Sequence, residues 1–206
     1  ARVMVVAVKP QVLDEVLPPL SGLIGAETVV VSVVAGKTIA AFARGLGATR
    51  IVRTIPNTPS QVGRGITAAH ANVAVPAADR TLVSALLATL GRLEWVETEG
   101  LIDVATAVSG SGPAYVFHMV EALAAAGAAA GLEPALAGRL ARATVEGAGE
   151  LLWQSPESPE TLRKNVTSPG GTTAAALAVL MGEDGLTKLM TEAVAAAAKR
   201  SRELAG

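Results

Sequence analysis

The segment Val3-Met4-Val5-Val6-Ala7-Val8, followed by Val12, Leu13, Val16, Leu17 and Leu20 at helical spacing, sets the fold. A short, uninterrupted, valine-rich run reads as a strand buried on both faces of a parallel sheet. The periodicity over 12–20 reads as a helix that Pro18-Pro19 ends early. A second apolar run at 28–34, a helix over 37–44 and a third strand at 50–54 repeat the pattern. Strand, helix, strand, helix, strand specifies parallel pairing through right-handed crossovers, so this part of the chain is α/β.

Beyond the loop Ile55-Pro56-Asn57-Thr58-Pro59, the pattern predicts a strand near 65–71, a helix near 79–90 and a strand at 93–97. From about Leu101 the composition turns alanine-rich, in stretches at 113–131, 134–153, 159–166, 170–181 and 184–204. Alanine has the best helix propensity, and its small side chain lets helices approach closely. The second half is therefore all-α, with the boundary at 97–101. Alanine faces with few large residues to fill a core find their partners on another chain, which predicts an intertwined homodimer.

The 17 Lys and Arg against 18 Asp and Glu give no field suited to nucleic acid or an anionic membrane. Aromatic residues, at 2%, are too few for a base-stacking surface, and the absence of cysteine excludes disulfides and thiolate chemistry. The longest uncharged run, 104–120, is interrupted by Ser109-Gly110-Ser111-Gly112-Pro113 and reads as buried, not membrane-spanning. The chain opens on Arg2-Val3-Met4 with neither an initiator methionine nor a signal peptide and reads as a polypeptide entered midway. A cytoplasmic small-molecule protein is the expectation.

Ligands of open parallel sheets bind at the carboxyl edge, which here carries Ala7-Val8-Lys9-Pro10, Val33-Val34-Ala35-Gly36 and Pro56-Asn57-Thr58-Pro59. Lys9 reads either as a contact to a phosphate or ribose or as a solvated lysine before a helix-starting proline. Three strand ends with loop chemistry at one edge favour a cofactor crevice. Thr167-Ser168-Pro169-Gly170-Gly171-Thr172-Thr173 offers hydroxyls, two glycines and a helix start, whose N–H groups converge on a carboxylate or phosphate. The same residues also make a plain helix N-cap after a tight turn. Ser109-Gly110-Ser111-Gly112-Pro113-Ala114 lacks the preceding strand of a dinucleotide fingerprint and reads as a helix–helix corner, with Ser111 as cap. Glu99 is an acid at the domain junction, and His70 and His118 stand without the partners of a metal site or triad. No zinc-protease, nucleophile-elbow or P-loop motif occurs.

Taken together in this order, Ala7–Pro10, Pro56–Pro59, Ala107–Tyr115 and Val166–Thr173 closely resemble the pyrroline-5-carboxylate reductase family over nearly the whole chain. The resemblance implies a partial Rossmann-like parallel sheet domain over 1–99, incomplete for dinucleotide binding, and an all-helical dimerisation and substrate-binding domain over 100–206. It implies reduction of 1-pyrroline-5-carboxylate to L-proline by NADPH or NADH, the closing step of proline synthesis, in a homodimer that assembles into larger rings. Cofactor contacts fall to Ala7, Val8, Lys9, Pro10, Val33, Val34, Ala35 and Asn165, with Asn57 on the same edge. Substrate contacts fall to Glu99, Ser168, Thr172 and Thr173, with Gly170 and Gly171 in the cradle. Thr173 is expected to donate to the imine nitrogen, and each pocket to be shared between two chains. No metal is expected.

The family pattern opens with a strand, a G-x-G-x-x-G/A turn and a helix that this sequence does not contain; the resemblance implies about sixty residues in two βα units ahead of Ala1. Two alternatives accompany the assignment. One is a β-hydroxyacid-type dehydrogenase, although Lys164, Lys188 and Lys199 lack its motif context. The other is a dimerisation fragment without activity of its own.

Overall fold

The computed structural model describes residues 1–205. Five strands form one sheet whose spatial order equals the chain order: β1 (Val3–Val6), β2 (Val29–Ser32), β3 (Arg50–Pro56), β4 (Gly65–Ala71) and β5 (Gly91–Trp95). Three neighbouring pairs are parallel, whereas β3 and β4 are antiparallel, with Thr54 opposite Ala69. The cause is the connection: residues 57–64 make one 3₁₀ turn over Thr58–Val62, shorter than the roughly dozen residues that a parallel crossover needs.

Alternation along the strands builds two faces. Val6, Val30 and Ile51 meet Leu13 and Leu17 of α1 (Leu13–Leu20) and Phe42 and Leu46 of α2 (Ile39–Leu46). Val29, Val31, Val52 and Ala69 meet Val83 and Leu87 of α3 (Ala77–Leu87). Each fully buried Leu or Phe contributes about 1.5–3 kcal/mol. The expectation that the first strand is buried on both faces is corrected. β1 is four residues long and lies at the edge of the five strands, and on its α3 side Val3 packs against the Val83 and Leu87 cluster whereas Val5 is 51% exposed. Nor do Pro18-Pro19 cut α1 short: they lie in its last turns, and Ser21 donates both its N–H and its Oγ hydrogen to the Pro18 carbonyl.

At the amino edge of the parallel strands, the fully buried Asp79 accepts from Arg2 and, at 3.0 Å, from Arg50, fastening α3 to β1 and β3. Arg50 also grips Glu27, and those bonds, above all the one to Glu27, raise its already high pKa.

After β5, α4 (Gly100–Ala105) lays Ile102 over Ile55 and Ala68. The corner expected at 109–113 is instead a π turn, Thr106–Gly110, leading into α5 (Gly112–Ala129). Ser111 has helical dihedrals and donates its N–H to the Thr106 carbonyl, so it is no N-cap. Pro113 has no N–H for the Ser109 carbonyl four residues back; Asn57 Nδ2 donates to it instead, at 3.1 Å.

The chain divides into two compact units, one of residues 1–113 together with the chain from Val194 on, the other of residues 114–193. The second contains most of α5, then α6 (Pro134–Gln154), α7 (Pro159–Asn165), α8 (Thr172–Leu180) and the start of α9 (Leu186–Ala205). Glu133 caps α6 by accepting from Ala135 and Leu136 N–H, and Ser158 caps α7 by accepting from Thr161 N–H, each before a proline in the first turn. Among the described residues of this unit the fully buried apolar ones are Ala137 and Ala141, while Phe117, Leu140, Leu151 and Val179 are exposed. Its helices thus carry apolar surface that one chain leaves uncovered. No helix among the described residues is long and apolar enough to cross a membrane.

Candidate active site

Parallel register aligns Val6 with Ser32 and Ser32 with Arg53, so β1 and β2 end together. Just past them Val33 donates to the Val6 carbonyl and Val34 N–H donates to Ser32 Oγ, both at 3.1 Å. Ala7 and Ala35 are exposed, Val8 and Val33 half-buried. Val34 is different: its side chain is packed into the α1–α2 core, which leaves only its main chain for a ligand. Lys9 is exposed and extended, ahead of a 3₁₀ turn that Pro10 starts. The next residue of the second loop, Gly36, is buried with φ +66°, and a Cβ there would lie 3.0 Å from Leu204 Cβ of α9. Small exposed residues and close main chain at two adjoining strand ends fit the flat ring and ribose of a nicotinamide dinucleotide.

Asn57 joins three segments. Its Nδ2 holds the π turn, and its Oδ1 accepts from Ile66 N–H at 3.0 Å, so both ends of the amide serve the end of β3.

Glu99 belongs to a buried charge cluster. On β3, Ile51, Arg53 and Ile55 share the face toward α2 and α4, and Arg53 is 2% exposed. Its Nη2 donates to Asp103 Oδ1 at 2.9 Å and its Nη1 to Glu99 Oε1 at 3.3 Å. Glu99 Oε1 also accepts the Ile39 N–H at 2.7 Å, capping α2 beside Thr38, and Ser201 of α9 donates to Asp103 Oδ1 at 2.8 Å. One cation and two carboxylates leave an excess negative charge, which the positive end of α2 and the Ser201 hydroxyl offset. Sequence reasoning named Glu99 but missed Arg53, Asp103 and Ser201. The signal was the arginine at an inward position of a strand, which demands an acidic partner.

The second unit holds the other group. Gly171 donates to the Ser168 carbonyl around Pro169 and Gly170, the latter at φ +69°, the pattern of a type II turn. The turn delivers the chain to α8, whose N-cap Gly171 supplies no side-chain cap. Ser168 and Thr172 are exposed and Thr173 half-buried. Thr167 donates its hydroxyl to the Arg163 carbonyl, and Asn165 Nδ2 donates to Glu157 at 3.2 Å. The structure thus collects residues 7–10, 33–35, 57 and 99 in one unit and 165 and 168–173 in the other.

His70 Nδ1 lies 3.0 Å from the Val96 carbonyl, and His118 pairs with Glu121 on the surface of α5. Among the described residues no group of three or more His, Asp or Glu is arranged to hold a metal.

Residues 99–204 match the family model described as pyrroline-5-carboxylate reductase dimerisation. A pyrroline-5-carboxylate reductase of Synechocystis sp. is 45% identical over 205 residues, covering 99% of this chain and 75% of the relative. The solved structure of a pyrroline-5-carboxylate reductase from Coxiella burnetii matches with TM-score 0.91 at 39% identity, covering 100% of this chain and 77% of that one. That of the Plasmodium falciparum pyrroline carboxylate reductase with NADP bound matches with TM-score 0.83 at 31% identity, covering 100% and 78%. The valine-rich strand ends, the Pro-Gly turn before α8 and the alanine-rich helices are therefore those of a member of the pyrroline-5-carboxylate reductase family, to which this chain belongs.

Proposed function

We propose that this chain reduces the cyclic imine 1-pyrroline-5-carboxylate to L-proline with NADPH or NADH, as a cytoplasmic homodimer that assembles into larger rings and binds neither nucleic acid nor membrane. The observation that carries the reading is the 45% identity, over 99% of the chain, to a relative named for this reaction. Residues 1–99 serve the dinucleotide and residues 100–206 serve dimerisation and substrate.

The reduced nicotinamide, when bound, supplies the hydride. The protein supplies position and electrostatics. Ala7, Val8 and Pro10 after β1, with Val33, Ala35 and the main chain of Val34 after β2, line the ring and ribose; Lys9 offers a cation to a phosphate. Asn57 keeps the third strand end in place, and Asn165 contacts the cofactor from the helical part. The uncapped start of α8, the Gly170-Gly171 main chain and the hydroxyls of Ser168 and Thr172 grip the substrate carboxylate. Such converging donors outweigh any exposed ion pair, which contributes little. Thr173 donates a hydrogen bond to the imine nitrogen, which gains electron density as the ring is reduced. Glu99 stands near the substrate while fixing the start of α2. In this reading each pocket is shared between two chains.

The test is to mix the purified chain with NADPH or NADH and the cyclic imine and follow oxidation of the cofactor. Turnover that requires both reactants is expected. Dinucleotide binding without turnover of the imine, or turnover of hydroxy acids instead, refutes the reading.

A further inference from the structure

We infer that Arg53 and Ser201 are positioning residues for the cofactor edge: through Asp103 and Glu99 they latch the end of α9 and the start of α2 around the Val33–Gly36 loop. The inference rests on the assignment of that loop to the dinucleotide.

The loop is held from three directions. β1 holds its beginning through the bond from Val33 to Val6, and the buried Ser32 hydroxyl holds Val34. Its far end is the first turn of α2, where the Ile39 N–H is taken by Glu99 at 2.7 Å, a carboxylate sixty positions away in sequence. Its outer side is covered by α9, for Leu204 lies so close to Gly36 that a methyl group there would stand 3.0 Å from Leu204 Cβ. Arg53 ties the second and third restraints together. Its guanidinium holds Glu99 with one nitrogen and Asp103 with the other, and Asp103 receives the Ser201 hydroxyl one helical turn before Leu204. A fork-shaped donor is required for this, since a lysine ammonium cannot present two rigid coplanar nitrogens to two carboxylates. Ser201 is 6% exposed, and its bond is made to a charged acceptor away from water, where such bonds are strongest. None of Arg53, Asp103 and Ser201 needs to touch cofactor or substrate. Their effect is on the shape of the loop that does.

The experiment compares the full chain with its Ser201→Ala, Ser201→Thr and Arg53→Lys variants. For Ser201→Ala the KM for the dinucleotide is expected to rise about fivefold, the share of one charge-assisted bond that reaches the loop, while kcat and the KM for the imine stay within about twofold. Ser201→Thr keeps the hydroxyl and restores the dinucleotide KM. Arg53→Lys keeps the charge but loses the fork, and shifts the same constant in the same direction. Hydrogen exchange at Ile39 needs no turnover, and it should run about tenfold faster in Ser201→Ala than in the unmodified chain. Unchanged dinucleotide KM and Ile39 exchange in Ser201→Ala overturn the latch. So does a loss of thermal stability that Ser201→Thr fails to rescue, or one accompanied by equal changes in both KM values. An unmodified chain that binds no dinucleotide overturns the reductase reading instead, a failure seen without any variant.

Discussion

Replacing Gly36 by alanine tests the packing of α9 on the β2–α2 loop, and Gly47 provides the control. The two glycines share one backbone conformation, φ +66° and +65°, but a Cβ at Gly47 meets nothing within 4 Å whereas one at Gly36 lies 3.0 Å from Leu204 Cβ. For both, alanine in the left-handed region costs about 1–2 kcal/mol, offset by about 0.4–1 kcal/mol from the stiffer unfolded chain. Gly47→Ala should therefore destabilise by about 0.5–1 kcal/mol. Gly36→Ala has a further cost. The atom in its way is a Cβ carried on helical backbone, so relief requires the last turn of α9 to move outward. Leu204 is 56% exposed, so what that movement forfeits is about half of a leucine's burial, about 1 kcal/mol. Urea unfolding should place Gly36→Ala about 1 kcal/mol below Gly47→Ala, and a thermal scan about 2–4 °C lower. In a Leu204→Gly background the difference between the two alanine variants should vanish. Equal stability of Gly36→Ala and Gly47→Ala in the unmodified background would falsify the contact and the strap it forms.

Three further outcomes are expected. Asp79→Asn weakens two charge-assisted bonds to arginines that water partly reaches, and should lower the unfolding free energy by about 2–3 kcal/mol; urea titration measures it, and kcat should hold because Asp79 lies at the opposite edge of the sheet. Asn57→Ala orphans the Ser109 carbonyl and the Ile66 N–H at once, and calorimetry should show a loss of about 2 kcal/mol with a lowered melting temperature. Thr173→Ala should lower kcat/KM for the imine by about tenfold to a thousandfold with unchanged dinucleotide affinity; steady-state kinetics beside a binding titration separates the two, and an unchanged kcat/KM removes Thr173 from the mechanism.

What was legible in the sequence is what neighbouring residues determine among themselves. The valine runs at 3–8 and 28–34 identify two parallel strands because apolar continuity and spacing are local properties. The turn at Ser168–Gly171 is readable for the same reason, since Pro-Gly has few conformations to choose from. The reversal between β3 and β4 was hidden because the alanine-rich stretch 65–71 signals a strand without its direction, and the shortness of 57–64 is decisive only once β3 is known to reach Pro56. The bond that holds the π turn was hidden because the Ser109 carbonyl, which Pro113 cannot serve, is met by Asn57 fifty-two positions away. The Arg53 cluster is hidden likewise. Its acids are forty-six and fifty positions from the arginine, so the need for partners could be read but not their identity.

A sheet whose spatial order equals its chain order also determines how the molecule can be made. Each strand emerging during synthesis meets the edge left by its predecessor, so β1 to β5 can assemble progressively through connections between chain neighbours, whose closure costs less entropy than a distant pairing would. The bond from Ser201 to Asp103 spans ninety-eight positions and cannot form until α9 has been translated. The Val33–Gly36 loop is therefore finished only after the five strands β1–β5 have been made, and a ribosome stalled before α9 would hold those strands with that edge still unset.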